Sequence, residues 1–193
     1  VVEGESPIRC HNRWGDGVVS VKHAIASSCN VALMKMAFAV GEDTFLEYQK
    51  NFNFGLKTNI DLAGETRTAE LVFDANSMRI TELATSSFGQ GFNVSMIQMI
   101  TGYSALINGG YYYEPHLVSK IVNADGGTVS VIEPTVLKHT VSEDTSATLC
   151  EYLESVVAEG TASTAKVDGY SMGDSKVLMA SGLPLPKQVK GII

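Results

Sequence analysis

The stretch Ala26-Ser27-Ser28-Cys29-Asn30 interrupts a run from Val21 to Val40 that is otherwise mostly apolar. The run has the length and composition of a core helix. The triplet Ser28-Cys29-Asn30 places three hydrogen-bonding side chains in a row, and inside a buried helix each of them requires a partner. Ser28 and Asn30 are therefore the first candidate site residues of the chain.

Helix geometry limits how Ser28 and Asn30 act together. Side chains two positions apart on an α-helix diverge by about 200°. They face the same way only at a helix entrance, which predicts a short connection or a first turn at Ser28, with a regular helix beginning close to it. The alternative is that Ser28 or Asn30 serves only as a helix cap that bonds the backbone.

Composition and charge limit the classes of function. A chain of 193 residues that is 45% hydrophobic can bury the core of one domain, or of most of one. It has 21 acidic against 14 basic residues and no basic run, which argues against a nucleic-acid partner. No apolar segment approaches the roughly 20 residues that span a bilayer, and no signal peptide begins at Val1. We interpret the chain as a piece of a longer protein, with membrane contact only through segments absent from it.

The three cysteines, Cys10, Cys29 and Cys150, have neither metal-site spacing nor the density of a disulfide framework. The Cys10-His11 pair lacks a second pair at zinc spacing, so we predict no metal and no cofactor. Cys10 and Cys29 are a possible redox pair. Their oxidation closes a loop of about 20 residues and stabilises the fold by roughly 3 kcal/mol. It also locks or distorts the turn between Ser28 and Asn30. The alternative is two unpaired, small apolar residues.

The remaining patterns predict more helix than strand, and a β-hairpin rather than a βαβ series, which favours the α+β class. A capping box of Ser95 and Gln98 opens one helix, and Ala124-Asp125-Gly126-Gly127 is a hairpin turn. Helices are predicted from Ser20 as N-cap to Gly41, over Asp43–Asn51 and Thr81–Ser87, from Ser95 to Ile107 and from Ser142 to Ala158. Strands are predicted at Tyr111–Tyr113, Leu117–Val122 and Thr128–Ile132.

Several short motifs follow one another in a recognisable order. They are Ser28-Cys29-Asn30, Phe54-Gly55, Ile60-Asp61-Leu62, Gly64-Glu65, Phe88-Gly89-Gln90-Gly91, the Ser95–Gln98 helix start, Asn108-Gly109-Gly110, Pro115-His116-Leu117-Val118 and Glu159-Gly160-Thr161-Ala162. In order and spacing the chain resembles the transpeptidase domain of class B penicillin-binding proteins of the sporulation or cell-division type. The resemblance runs from about Ile8 to Gly173.

The resemblance implies a partial penicillin-binding/β-lactamase-like fold over residues 1–173, made mainly of its helical part and a β-hairpin. In this family a serine is acylated by the D-Ala-D-Ala end of a peptidoglycan stem peptide, and the acyl group then passes to an amine of a neighbouring strand. The implied partners are stem peptides and β-lactams, and the implied location is the extracytoplasmic face of the bacterial cell membrane.

The family's site combines three motifs: S-x-x-K, S-x-N and K-[ST]-G. By resemblance Ser28 is the S-x-N serine, which relays a proton towards the leaving amine, and Asn30 is the asparagine that holds the lysine and the substrate amide. Gly89, Gln90 and Gly91 form a tight turn near the substrate groove. A phosphate-binding loop is the weaker interpretation of this glycine pattern, because no complete strand–loop–helix motif surrounds it.

Two of the three motifs are missing. The one S-x-x-K string, Ser163 to Lys166, follows Ser28 instead of preceding it, and we interpret it as a coincidence. No K-[ST]-G triplet follows Gly173, so residues 174–193 are predicted to be a divergent or poorly packed tail. Truncation, a reading-frame break and genuine divergence all remain open as causes.

These absences predict that the chain is inactive alone, as a fragment of a D,D-transpeptidase that cross-links stem peptides through an acyl-serine intermediate. The alternative is a non-catalytic relative that binds peptidoglycan or β-lactams, or serves as a scaffold. A serine β-lactamase or sensor domain is a weaker third candidate.

Overall fold

The structure is a computed structural model that describes residues 7–10, 12–166 and 172–173. Caps and turns predicted from the sequence lie at the ends of its main elements. The predicted tail, residues 174–193, lies outside the described residues. Within the described part, the helices are α1 (Val21–Ala26), α2 (Asn30–Val40), α3 (Glu42–Asn51), α4 (Ile80–Ser86), α5 (Met96–Ile107) and α6 (Glu143–Ala158). The strands are β1 (Tyr111–Tyr113), β2 (Lys120–Val122), β3 (Thr128–Val131) and β4 (Val136–His139). None of the described helices is long and apolar enough to cross a membrane.

Three of the predicted helix ends are confirmed, whereas α3 and α4 each begin one residue earlier than predicted. The Ser20 hydroxyl accepts a bond from the His23 backbone N–H at 3.2 Å, which caps α1. Ser95 and Gln98 form both halves of the capping box that opens α5. Gly41 ends α2 with a φ of 85°, a conformation that glycine adopts without steric cost.

The described residues fall into two compact units. Unit 1 takes in the described residues of Val1–Phe45, Phe73–Phe92 and Thr148–Ile193. In this unit α2 packs on α4, and Met34, Ala84 and Phe88 form a buried cluster. A second cluster joins Val156, Val157 and Ala162 at the end of α6.

Unit 2 comprises Leu46–Val72 and Asn93–Ala147. The predicted hairpin of β2 and β3 is confirmed, with Lys120 opposite Val131. Strand β1 lies against α5 and pairs antiparallel with β4. The sequence does not predict β4, because its partner is β1, from which the whole β2–β3 hairpin separates it, and no tight-turn signal joins the two strands.

Asp61 fixes the segment that leads into the hairpin. Its two carboxylate oxygens accept the backbone N–H groups of Leu117 and Val118 at 2.8 and 2.9 Å. The N–H groups of Val118 and Leu117 stabilise the carboxylate and lower the pKa of Asp61 from its ordinary value of 3.8.

This lowered pKa predicts an acid-sensitive contact. Because the folded pKa of Asp61 lies below the unfolded one, the contribution of Asp61 to stability is complete above pH 3.8 and is lost as the pH falls through the folded value. NMR titration should show the amide proton shifts of Leu117 and Val118 changing together below pH 3.8. Asp61→Asn should remove that transition. A transition that persists in Asp61→Asn would assign it to another carboxyl group.

Candidate active site

The run from Val21 to Val40 is two helices, with a break where the spacing of Ser28 and Asn30 predicts one. Helix α1 ends at Ala26, and α2 begins at Asn30. Across the joint, the Ser28 N–H donates to the Ile25 carbonyl and the Cys29 N–H to the Ala24 carbonyl, both at 3.0 Å. This pair of bonds is the Schellman arrangement, in which the residue after the C-cap turns into the left-handed region.

Ser28 is that left-handed residue, with a φ of 49°. Glycine is the usual residue at this place, because a side chain there costs roughly 1–2 kcal/mol. Backbone strain of this kind concentrates at functional sites, where the surrounding fold enforces it. The neighbouring Ser27 has a structural contact, since its hydroxyl donates to the His23 carbonyl at 2.7 Å.

Asn30 is the first residue of α2 and is half-buried. Its side-chain amide donates to the Arg9 carbonyl at 3.4 Å, a long bond that connects the segment before α1 to the start of α2. The N-cap of α2 is Cys29, which makes no side-chain capping bond. The described contacts therefore give no support to a capping role for Ser28 or Asn30 at α2.

The turn of Gly89, Gln90 and Gly91 closes α4. The N–H groups of Gly89 and Gln90 donate to the carbonyls of Ser86 and Thr85 at 3.0 Å, and both glycines have positive φ values of 80° and 88°. Gln90 is exposed. Helix α4 packs on α2, and α2 begins at Asn30. The turn therefore follows a helix that contacts the Asn30 helix.

Gly160, in the predicted motif Glu159–Ala162, lies against the end of α1. A Cβ on Gly160 would lie 2.3 Å from the Ala26 carbonyl oxygen. The next residue, Thr161, donates its N–H to the same carbonyl at 3.1 Å. The motif thus satisfies the last carbonyl of α1, two residues before Ser28, and helps to fix the joint.

Cys10 and Cys29 are brought together, as a redox pair requires. Both are buried and in the thiol form. Their sulfur atoms and a carboxylate oxygen of Asp16 all lie within 4.8 Å of one another. Burial raises the pKa of the Cys29 thiol to about 11, so Cys29 is protonated at neutral pH. Redox pairing stays a prediction, and the approach of Asp16 was not predicted from the sequence.

The string from Ser163 to Lys166 lies on the surface. Ser163–Ala165 is a single 3₁₀ turn, and all four residues are exposed. Activation of a serine by a lysine requires an amine whose pKa is lowered by burial or neighbouring charges. The exposure of Lys166 agrees with the interpretation of this string as a coincidence.

Comparison with known proteins identifies the family. The family model described as the penicillin binding protein transpeptidase domain matches residues 1–174. The chain therefore belongs to the penicillin-binding protein transpeptidase domain family, as the order of its motifs predicts. Its partial α+β fold is that of these domains.

Individual relatives agree with this assignment. The chain is 36% identical over 167 residues to stage V sporulation protein D of Bacillus subtilis, covering 86% of this chain and 26% of that protein. Penicillin-binding protein 3 of Mycobacterium tuberculosis, solved in complex with aztreonam, is similar with a TM-score of 0.70 at 26% identity, covering 78% of this chain and 35% of that one. The D,D-transpeptidase domain of a peptidoglycan glycosyltransferase from Eggerthella lenta shares the fold, with a TM-score of 0.73 at 22% identity over 87% of this chain and 43% of that one. The chain spans about a quarter of the length of the curated relatives it matches.

Proposed function

We propose that these 193 residues form part of a peptidoglycan D,D-transpeptidase, in which Ser28-Cys29-Asn30 is the S-x-N motif. The nucleophilic serine and its lysine belong to a part of the enzyme outside residues 1–193, as does K-[ST]-G. The observation that carries this proposal is the left-handed Ser28 at the Schellman turn between α1 and α2. A helix interior would turn Ser28 and Asn30 to different sides, whereas the joint places Ser28 outside the helix and Asn30 at its first position.

The proposed chemistry is acyl transfer in two steps. The nucleophilic serine attacks the carbonyl between the two D-alanines, a C–O ester bond forms, and the C–N peptide bond breaks. Ser28 delivers the proton that the lysine took from the nucleophile to the departing amine of D-alanine. An amine from a neighbouring stem peptide then attacks the ester carbonyl. A C–N peptide bond forms, the C–O ester bond breaks, and the proton lost by the amine returns to the oxygen of the released serine. Asn30 orients the lysine and the substrate amide through its side-chain amide.

The same site accounts for binding of β-lactams, whose strained amide replaces the D-Ala-D-Ala bond and leaves a stable acyl-serine. The proposal therefore includes penicillins as ligands of the complete enzyme, which would act on peptidoglycan at the extracytoplasmic face of the membrane. The aztreonam complex of the mycobacterial relative supports this part of the proposal. Neither nucleic acid nor a cofactor has a role in this chemistry.

The test uses the full-length enzyme that contains these residues, a pentapeptide stem ending in D-Ala-D-Ala, and release of D-alanine as the readout. Asn30→Ala should lower kcat/KM by about 10²-fold or more, because an interaction with the substrate amide and the lysine is lost. Asn123→Ala is the matched control. It removes an amide at the hairpin turn, where the Asn123 side chain accepts only the Gly127 N–H among the described contacts, and it should leave the rate unchanged.

A non-catalytic relative is the second candidate. It predicts binding of a stem peptide or a β-lactam without release of D-alanine by the unsubstituted full-length protein. That result, with the protein shown to be folded by circular dichroism, would contradict the proposed transpeptidase.

A further inference from the structure

We propose that Cys10, Asp16 and Cys29 form a binding site for one zinc ion. The proposal goes beyond the transpeptidase chemistry, because none of these three side chains has a role in the acyl transfer. It also departs from the sequence-based prediction of no metal, which rested on the lack of a second ligand pair at zinc spacing beside Cys10-His11.

The donor atoms are those that zinc prefers. Two cysteine sulfurs and one carboxylate oxygen lie within 4.8 Å of one another. Zinc binds thiolate at about 2.3 Å and carboxylate at about 2.0–2.2 Å, so neighbouring ligand atoms of a tetrahedral site are roughly 3.5 Å apart. The ligand atoms therefore need to draw together by no more than about 1.3 Å to bind the ion. Cys10 and Cys29 are buried, and Asp16 is half-buried.

The carboxylate is already oriented towards the thiols. The Asn12 side-chain amide donates to Oδ1 of Asp16 at 2.8 Å and to the Gly15 carbonyl at 3.1 Å. The other oxygen, Oδ2, lies 3.9 Å from the Cys10 sulfur. A hydrogen bond to one oxygen of a carboxylate is a usual outer support of a metal ligand, and zinc would replace the thiol proton that Oδ2 accepts from Cys10.

An open cavity supplies both the path to the site and its fourth position. It has a volume of about 450 Å³ and is lined by Cys10, Asp16 and Cys29 together with residues such as Val19 and Ala32. With three protein ligands, a water molecule on the cavity side completes the tetrahedron. Binding replaces the two thiol protons with the ion, so it releases protons and strengthens with rising pH.

Zinc at this site would connect the loop before α1 to the start of α2. Cys29 stands between Ser28 and Asn30, so its coordination would fix the joint that carries both residues. A disulfide would join only the two cysteines, whereas a zinc ion would also bind the carboxylate of Asp16 beside them.

The test uses the 193-residue chain, prepared reduced and metal-free. Titration with zinc chloride against a chromophoric chelator should give one zinc per chain. Titration with cobalt(II) should give the absorption of a tetrahedral complex and a sulfur-to-cobalt charge-transfer band, which reports thiolate ligands without any substitution. Cys10→Ser and Cys29→Ser should each abolish the band, and Asp16→Asn should weaken zinc binding about 10- to 100-fold. Cys150→Ser, a cysteine outside the cluster, should leave zinc binding unchanged.

Three results would overturn the proposal. One is a chain that is folded by circular dichroism yet binds no zinc. Another is zinc binding that survives Cys10→Ser and Cys29→Ser together. The third is a Cys10–Cys29 disulfide, seen as the loss of two hydrogens from the intact mass, that forms in air at the same rate with and without zinc. None of these readouts depends on transpeptidase activity, so they leave the proposed function to its own test.

Discussion

Gly110→Ala is expected to unfold unit 2. A Cβ at this position would lie 1.9 Å from the carbonyl oxygen of Val141 and 2.9 Å from its carbonyl carbon. These are backbone atoms, so no side-chain rotation relieves the clash. The position also has a φ of 93°, which alanine adopts only at a cost.

The chain around Gly110 has no freedom to move away. Its carbonyl accepts both the backbone N–H and the hydroxyl of Thr140, at 2.8 and 3.1 Å, next to the pairing of β1 with β4. Relief of the clash therefore requires loss of these bonds as well. The expected loss in free energy of unfolding is at least about 4 kcal/mol, which is close to the lower end of the roughly 5–15 kcal/mol that stabilises a small domain.

Gly126→Ala is the matched control for Gly110→Ala. Gly126 has a similar φ of 83°, but nothing lies within 4 Å of the position that its Cβ would take. Gly126→Ala should lower the free energy of unfolding only by the cost of holding alanine in the left-handed conformation, about 1 kcal/mol. Urea unfolding of both variants measures the difference. Equal losses would show that the close approach of Val141 does not constrain the fold.

Substitution of Ser28 is expected to separate activity from stability. Ser28→Gly removes the hydroxyl that we place in proton transfer, and should lower the rate of acylation of the full-length enzyme by a penicillin about 10²- to 10⁴-fold. The same change relieves the left-handed strain at a φ of 49°. It should therefore raise the free energy of unfolding of the 193-residue chain, by up to about 1 kcal/mol after the entropy cost of glycine.

Two companion variants test this separation. Ser28→Ala should lower the acylation rate to the same extent as Ser28→Gly. It should not raise the free energy of unfolding, because alanine is strained in the left-handed conformation as serine is. Ser27→Ala, one residue away, removes a hydroxyl that bonds the His23 carbonyl, and should leave the acylation rate unchanged. Rates from a fluorescent penicillin and urea unfolding supply the two measurements. An acylation rate that falls equally in Ser27→Ala and Ser28→Ala would remove the special role of Ser28.

The helix ends were predictable because their signals are local. Ser20 and the Ser95–Gln98 box each satisfy backbone N–H groups within three residues, so a short window of sequence contains the whole interaction. Strand β4 was missed for the opposite reason. Its pairing with Tyr111–Tyr113 joins residues far apart in the chain, so no short window of sequence contains the interaction.

The candidate site was predicted in part. The spacing of Ser28 and Asn30 predicts a break in the helix, but not that a serine would take the left-handed position of a Schellman turn, which glycine usually holds. Asp16 was missed because its approach to the two thiols depends on the irregular loop that Asn12 organises. Such loop geometry has no periodicity from which to predict it.

The serine to which a penicillin attaches shows whether the nucleophile lies within these residues or outside them. The 193-residue chain and the full-length enzyme are each incubated with a penicillin, and the adduct is located by intact mass and peptide mapping. We predict no adduct on the isolated chain, and a single adduct on the full-length enzyme at a serine outside residues 1–193. An adduct on Ser28 or Ser163 of the isolated chain would contradict the account, because the nucleophile would then lie within these residues.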